Sequence, residues 1–302
     1  MRIAASGGMV DGPPSKSNGN EQLPRDGHVR VAAVGDLHVA RTARGELEPL
    51  FRQISESADV LVLCGDLTNH GLAEEAQVLA KDLAASAKLP IVGVLGNHDY
   101  EGGQVEEIRK ALADAGMQVL DGDAREIKGV GFAGAKGFCG GFGRGTLSAF
   151  GESAVKKFVQ AAVDETMKLE TALQQLRTPH RIAVLHYAPV RDTVEGEPLE
   201  IFPFLGCSRL EEPINRYQVT AAFHGHAHRG APEGKTATGI PVYNVAVHVM
   251  RRAYPGRPTF RLLTLPVSGP SDGRGAATGG KPVETRVHAG AGDTSATNAG
   301  RI

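Results

Sequence analysis

Eight short apolar runs recur along the middle of the chain, and they limit the possible folds more than any other feature of the sequence. Several carry apolar residues on both faces, which is typical of strands in a sheet that is covered on both sides. Helical patterns separate the runs in the first half of the chain, so the sequence predicts an α/β fold. The runs span 29–34, 59–64, 89–95, 129–135, 181–187, 219–224, 240–247 and 259–265.

The later runs follow one another with little helix between them, so part of the sheet is expected to be antiparallel. Val105, Ile108 and Leu112 recur at helical spacing. A longer apolar stripe, from Val155 to Leu176, predicts a long helix. Two packed sheets with helices outside would fit this mixture.

The two ends of the chain have a different composition from its middle. Residues 1–27 are rich in Gly, Pro, Ser and Asn, and residues 267–302 are mostly Gly, Ala, Ser and Thr. Such segments bury too little apolar surface to offset the entropy lost on ordering. We therefore expect a disordered N-terminal tail, one domain over 28–266 and a disordered, low-complexity C-terminal tail.

The charge and cysteine content exclude some classes of partner and compartment. The 302 residues carry a formal net charge of −1, which argues against bulk binding of nucleic acid. Three cysteines cannot all pair with one another, and so sparse a set is typical of a reducing compartment. We find neither an export signal nor an apolar stretch long enough for a membrane span, and we expect a cytoplasmic protein. Oligomeric state is not encoded in any pattern that we find.

Residue types that bind metal ions lie at the ends of five of the apolar runs. In the first three cases a glycine precedes them. Because the carboxyl ends of parallel strands meet at one edge of a sheet, these side chains are expected to converge. They are Asp36, His38, Asp66, Asn97, His186, His226 and His228.

The chemistry of this set favours particular metals. Carboxylate, amide and imidazole ligands without a thiolate suit Mn, Fe or Zn and disfavour structural Cys–zinc or iron–sulfur centres. Seven ligands are too many for one ion, but they suit two divalent ions that share a bridging carboxylate. Such pairs are the pattern of hydrolytic sites that clamp phosphoryl groups.

In this order, the motifs D-x-H, G-D, G-N-H-D, H and G-H-x-H resemble those of the calcineurin-like metallophosphoesterases. The resemblance runs from Asp36 to His228, with every motif position filled. It implies a four-layer α/β/β/α sandwich of two mixed sheets, with the metal site at the carboxyl edge of the strands. It also implies a first metal on Asp36, His38 and His228, a second on Asn97, His186 and His226, and Asp66 as the bridge.

The resemblance makes His98 the histidine that lies beside the scissile bond without binding metal. An imidazole can protonate a leaving alkoxide, so His98 is the candidate general acid. We predict that Asp99 orients or charges His98, as carboxylates beside catalytic histidines do. The attack is expected from a hydroxide held between the two ions, with no serine or cysteine nucleophile.

Other residues are candidates for binding substrate or for structural roles. Asn69 follows the second motif, and the glycine-rich stretch 134–145 brings Lys136 and Arg144 into a loop near the site. That stretch lacks the spacing of a nucleotide-binding P-loop. For His70 we favour helix capping, for His224 a supporting role and core packing stay open, and we expect His248 to end a strand.

Three functions therefore remain open. The first is a metal-dependent phosphodiesterase or phosphatase, and the stretch "GDLTNHG" is similar to the cyclic-nucleotide-phosphodiesterase-like branch. The second uses the same metals to hydrolyse the pyrophosphate bond of a nucleotide or lipid conjugate. The third is a metal-binding scaffold without catalysis that recruits protein partners. We favour an enzyme acting on a small phosphate ester or nucleotide, because a scaffold has no chemical reason to keep His98 beside all seven ligands.

Overall fold

The computed structural model describes residues 27–267 of the chain. In this range two β-sheets pack face to face, with α-helices on both outer sides. The strands are β1 (His28–Val34), β2 (Val60–Cys64), β3 (Ile91–Val94), β4 (Met117–Val119), β5 (Asp123–Ile127), β6 (Val130–Gly134), β7 (His180–Val184), β8 (Ala221–His224), β9 (Glu233–Lys235), β10 (Pro241–Asn244) and β11 (Arg261–Pro266). The helices are α1 (Glu48–Ser57), α2 (Ala73–Ser86), α3 (Asn97–Glu101), α4 (Val105–Asp114), α5 (Ser153–Gln175), α6 (Phe202–Leu205), α7 (Glu211–Arg216) and α8 (Val247–Ala253).

Both sheets are mixed, as the sequence predicts. The first has the order β11-β1-β2-β3-β4, in which β1 to β4 are parallel and β11 is antiparallel to β1. The second has the order β5-β6-β7-β8-β10-β9, in which the four central strands are parallel. Its two edge strands, β5 and β9, are antiparallel to their neighbours. The predicted α/β class with two mixed sheets is confirmed.

The strand β2 shows why the apolar runs have no polar face. Val60, Val62 and Cys64 point into the core between the sheets, whereas Leu61 and Leu63 pack against the outer helices. Successive side chains of a strand point to opposite faces, so a strand that is covered on both sides must be apolar throughout. Each fully buried Val or Leu side chain contributes roughly 1.5–3 kcal/mol to folding.

The helices complete the four layers. Buried residues of α1, α2 and α4, among them Phe51, Leu79 and Ile108, cover the first sheet. The long helix α5 covers the second sheet through one face that includes Leu169 and Leu173. Both helices that the sequence predicts from apolar spacing, at 105–112 and 155–176, are present as α4 and α5.

Each predicted apolar run contains a strand, but β4, β5 and β9 were not predicted. Two of them have three residues, and β5 has polar and exposed side chains. The run 240–247 was predicted as one strand, and that prediction is wrong at its end. Asn244 closes β10 because its buried side chain bonds to the carbonyl oxygens of Thr193 and Ala227, and α8 follows with His248 on it.

The two predicted tails lie outside the described residues, except for Gly27 and Val267. The Val267 N–H donates to the Gly27 carbonyl at 2.8 Å. Within residues 27–267, no helix combines the length and the hydropathy needed to cross a bilayer.

Candidate metal centre

The two sheets meet at the carboxyl ends of their parallel strands. The Gly35 N–H, after β1, donates to the Val245 carbonyl at 3.0 Å, and the Val247 N–H donates to the Gly35 carbonyl at 3.1 Å. His186 Nδ1, after β7, bonds to the Cys64 carbonyl of β2 at 2.9 Å. These bonds join the loops of one sheet to those of the other, so side chains from both sheets reach a common site.

Two groups of possible metal ligands lie at this junction, and both contain Asp66. Within each group the ligand atoms lie within 4.8 Å of one another. The first group is Asp36, His38, Asp66 and His228, and the second is Asp66, His186 and His226. Asn97 joins the second group, because its Oδ1 lies 2.9 Å from His186 Nε2. The fold therefore brings together all seven residues that the sequence singled out.

The backbone is strained at these positions. Asp36, His38, Asp66 and His226 have φ angles of 57°, 46°, 49° and 68°. Residues other than glycine rarely adopt positive φ, and each such conformation costs on the order of 1–3 kcal/mol. Four of the six such residues in the described chain are candidate ligands, so the strain is concentrated where it aims side chains at the site.

Two glycines leave room for the carboxylates. A Cβ atom on Gly225 would overlap the Asp36 carboxylate, and one on Gly96 would overlap that of Asp66. Any other residue would push the carboxylates out of place, since the contact is with ligand oxygens. The two glycines therefore let both carboxylates lie close to the imidazoles of the site, and this cluster of oxygen and nitrogen donors fits a bound cation.

The charges of the site also fit a cation. Burial alone would lower the pKa of His186, but the neighbouring Asp66 carboxylate outweighs that effect and raises the pKa to about 9. Burial likewise would raise the pKa of Asp66, but the charge of His186 outweighs it and holds that pKa well below its usual range. Without metal, a proton thus balances the buried carboxylate, and a divalent ion would take over that role.

Other histidines of the site are held in the neutral form that binds metal. Burial lowers the pKa of His226 to about 3 and also lowers the pKa of His38. His228 differs: the hydrogen bond with Asp36 raises its pKa, and its Nε2 lies 2.9 Å from Asp36 Oδ1. Neutral imidazole is the ligand form, so His38 and His226 need lose no proton to bind a metal.

The residues 29–230 match the sequence profile of the family described as "Calcineurin-like phosphoesterase", which is more than half of the 302 residues. The chain belongs to the calcineurin-like phosphoesterase family. It is 29% identical over 110 residues to an uncharacterized protein of Methanocaldococcus jannaschii. That match covers 36% of this chain and 44% of the relative, so the chain spans less than half the length of this curated relative.

Solved structures share the fold at low sequence identity. Phosphopantetheinyl hydrolase from Mycobacterium tuberculosis superposes with a TM-score of 0.56 at 15% identity, over 82% of this chain and 99% of that one. GAP50, the anchor in the inner membrane complex of Plasmodium, gives a TM-score of 0.52 at 14% identity, over 79% and 81% of the two chains. Likeness at this level concerns the fold alone.

In this calcineurin-like phosphoesterase His98 lies beside the first ligand group without belonging to it. Its ring contacts that of His38, with centroids 4.6 Å apart. Its Nδ1 lies 2.7 Å from the Asn69 carbonyl, so Nδ1 carries the proton and the ring orientation is fixed. Its backbone N–H donates to Asp66 Oδ1 at 2.8 Å, which ties the position of His98 to the shared carboxylate.

The side chain of Asp99 bonds to other residues than His98, so the predicted orienting contact is not formed, while an effect of its charge on His98 stays a prediction. Asp99 is fully buried, and its carboxylate accepts hydrogen bonds from the backbone of Gly96, Leu67 and Thr68, at 2.8, 3.2 and 2.8 Å, and from the Thr68 hydroxyl at 2.7 Å. Asp99 lies in the first turn of α3, and its carboxylate faces the N-terminus of that helix. Asp99 therefore joins the loop after β2 to the loop after β3.

The three candidate substrate residues differ in their distance from this cluster. Asn69 is next to it, since its carbonyl holds His98. The Lys136 ammonium lies 5.1 Å from the centre of the Tyr187 ring, and that ring lies 4.4 Å from His226. Arg144 is exposed in the turn Gly143–Gly145, and within the described residues no bond joins it to the ligands.

Four further features of the site were not predicted from the sequence or were left open. His224 is buried and bonds to Thr193 Oγ1 at 2.7 Å, so it packs behind the site and does not face it. In a continuous strand His224 and His226 would point to the same side. They do not, because β8 stops at His224 and His226 has a positive φ.

Two further contacts hold the ligand histidines. The Phe204 carbonyl bonds to His226 at 3.1 Å, and the ring of His248 stacks on that of His228. For His70, Nε2 lies 2.9 Å from Asn69 Nδ2, and its backbone N–H donates to Glu75 of α2.

Proposed function

We propose that this chain hydrolyses a phosphodiester or phosphomonoester with two divalent metal ions, and that His98 is the general acid. The observation that carries the proposal is that Asp66 belongs to both ligand groups while the His98 ring contacts His38. A shared carboxylate is typical of paired ions, and a free imidazole beside them suits proton transfer.

The residues of this chain divide between the two ions as follows. Asp36, His38, Asp66 and His228 would hold one ion, and Asp66, Asn97, His186 and His226 would hold the other. Mn, Fe or Zn suits this mixture of oxygen and imidazole ligands. Bound ions would polarise the phosphoryl oxygens and lower the pKa of water at the site. Strained backbone and carbonyl partners hold the ligands in place before any ion binds.

His98 would move the proton through its Nε2 atom. Since Nδ1 donates to the Asn69 carbonyl, Nε2 is the nitrogen left to face a substrate. A proton held there passes to the leaving oxygen as the ester bond breaks. The side chain of His98 is 36% exposed, so a substrate can reach it from solvent.

Asn69, Lys136 and Arg144 are proposed to contact the substrate. Asn69 has the strongest support, because its backbone positions His98. Lys136 is partly buried among the rings of Tyr100, Phe138 and Tyr187, from which its ammonium could reach an anionic group. For Arg144 the test is direct: an unchanged KM in Arg144→Ala would remove it from the site.

Two other functions use the same scaffold. Hydrolysis of the pyrophosphate bond in a nucleotide or lipid conjugate needs the same ligands and the same acid. A scaffold that binds protein partners is the other candidate, and a fold neighbour whose name describes an anchor supports it at the level of fold. Retention of His98 in its bonded position favours catalysis, as does a neighbour that is named a hydrolase.

A cytoplasmic location belongs to the proposal as well. All three cysteines, Cys64, Cys139 and Cys207, are unpaired and buried. Free thiols are typical of a reducing compartment, which supports this location.

The test is a hydrolysis screen of metal-stripped, full-length protein. Mn²⁺, Fe²⁺, Zn²⁺ or Mg²⁺ is added back, and the protein is offered aryl monoesters, aryl diesters, cyclic nucleotides and nucleotide diphosphate conjugates. We expect turnover that depends on metal and that is lost in Asp66→Asn, which removes the shared ligand charge. Binding of metal without turnover of any ester would favour the scaffold instead.

A further inference from the structure

His228 is held differently from the other ligand histidines that follow strands of the second sheet. His186 Nδ1 bonds to the Cys64 carbonyl at 2.9 Å, and His226 Nε2 bonds to the Phe204 carbonyl at 3.1 Å. Such bonds to the second ring nitrogen fix the orientation of a ligand histidine. Within residues 27–267, the Nδ1 atom of His228 has no hydrogen bond to another residue, and the side chain is 37% exposed.

Helix α8 contacts His228 in two other ways. The ring of His248 stacks on that of His228, with centroids 4.7 Å apart and an angle of 16° between the planes. One turn further along, Arg252 donates from Nη1 to the His228 carbonyl at 2.9 Å and from Nη2 to the Gly230 carbonyl at 2.7 Å. Residues four apart lie on the same side of a helix, so one face of α8 contacts both the ring and the backbone of His228.

The helix is itself fixed to the other side of the first ligand group. Val247, Val249 and Met250 are buried, and the Val247 N–H donates to the Gly35 carbonyl at 3.1 Å, next to Asp36. Helix α8 thus contacts the loop that carries Asp36 and the loop that carries His228. It sets the distance between two ligands that come from different sheets.

We infer that His248 and Arg252 are positioning residues for His228 and take the place of the missing bond at its second ring nitrogen. His248 restricts the rotation of a half-exposed ring by covering one face of it. Arg252 fixes the backbone through two charge-assisted hydrogen bonds, one to the carbonyl of His228 and one to that of Gly230. The inference rests on the proposed metal site but not on hydrolysis.

The experiment is calorimetric titration of the metal-stripped, full-length protein with Mn²⁺ alone. His228→Ala first identifies the binding event that depends on His228. We expect His248→Ala and Arg252→Ala to weaken that same event by about 10-fold to 100-fold, the range for partners that orient a metal ligand. His248→Phe keeps a planar ring that can stack on His228, so its Mn²⁺ affinity is expected to stay within about threefold of the wild type. The comparison of the Phe and Ala variants therefore isolates the effect of stacking.

Arg251→Ala is the matched control, because Arg251 is exposed and lies next to Arg252 on the same helix. It is expected to bind Mn²⁺ like the wild type. Urea unfolding of each metal-free variant shows whether a loss of Mn²⁺ affinity comes from a loss of stability. If Arg252→Ala is unstable, the Phe and Ala variants of His248 still allow the test.

Two results would overturn the inference. One is wild-type Mn²⁺ affinity in His248→Ala, and the other is equal weakening in the Phe and Ala variants. Because no substrate is used, failure of the hydrolase proposal leaves this measurement intact. Metal binding that follows the expected order without turnover would uphold the positioning role and reject the proposed catalysis.

Discussion

The imidazole rings of His38 and His98 lie edge to face, with centroids 4.6 Å apart and planes at 90°. His38 belongs to the first ligand group, whereas His98 bonds through Nδ1 to a backbone carbonyl outside it. The contact places the proposed general acid against the ligand group without making it an eighth candidate ligand. The two neighbouring histidines thus have different proposed roles: His38 binds metal and His98 transfers a proton.

Replacement of His98 by alanine is expected to lower kcat by about 10²–10⁴-fold, because a general acid contributes that much to a rate. Metal content is expected to stay unchanged, since His98 is in neither ligand group. Steady-state kinetics and metal analysis of the same preparation check both parts. His180→Ala, at the amino end of β7, is the control histidine. Loss of metal in His98→Ala would mean that His98 is a ligand.

Replacement of Asp99 by asparagine is expected to lower the free energy of unfolding, and any loss of activity should come with this loss of stability. The new amide would turn N–H groups towards the backbone N–H donors of Gly96, Leu67 or Thr68 that now bond to the carboxylate. An unsatisfied buried group costs about 1–3 kcal/mol, which urea unfolding of the metal-free protein can measure. Asp114→Asn, on the exposed side of α4, is the control. A variant with wild-type stability and a reduced kcat would instead support direct assistance to His98.

Replacement of Gly225 by alanine is expected to weaken metal binding as well as folding. The added Cβ would overlap the Asp36 carboxylate, and relief of such overpacking costs about 1–3 kcal/mol. The shift of Asp36 should appear as weaker Mn²⁺ binding in calorimetry. Gly145→Ala is the matched control, because a Cβ there meets no atom within 4 Å. Equal Mn²⁺ affinity in both variants would show that the close fit at Gly225 does not matter.

The ion pair between Arg30 and Asp59 is expected to make stability depend on pH. Partial burial would raise the pKa of Asp59, but the hydrogen bonds and charge of Arg30 outweigh it and lower the pKa. A carboxyl whose pKa is lower in the folded state stabilises the fold above its unfolded pKa of about 3.9 and loses that effect as the pH falls below it. Asp59→Asn should therefore be less stable than the wild type at pH 7, with the difference shrinking towards pH 3.

Urea midpoints of the wild type and of Asp59→Asn at several pH values measure that difference. The bonded geometry is bidentate, with Arg30 Nε and Nη2 at 2.9 and 3.0 Å from the two carboxylate oxygens. Asp164→Asn, on the exposed side of α5, is the control for a general effect of charge. A difference that does not change with pH would contradict the prediction.

Much of the fold follows from local pattern. The stretch 60–64 is apolar on both faces because a strand between two packed layers has no polar side, and β2 occupies it. Three strands escaped prediction: β4 and β9 have three residues each, too few for any period to emerge, and β5 has mostly polar or exposed side chains. Strand β10 ends at Asn244 because the side chain of this residue bonds to residues far away in the sequence. The start of α8 was therefore not visible in the local pattern.

The sequence by itself determined the candidate ligands, because parallel strands bring their carboxyl ends to one edge, and residues such as Asp36 and Asp66 follow those ends. Only the tertiary structure decided what surrounds them. Asp99 faces the loop after β2 rather than the ring of His98, and His248 reaches His228 from a helix. Position along the chain fixes which residues arrive at the edge. The directions of the Asp99 and His98 side chains depend also on partners far away along the chain, such as Thr68 and Asn69 at separations of 31 and 29.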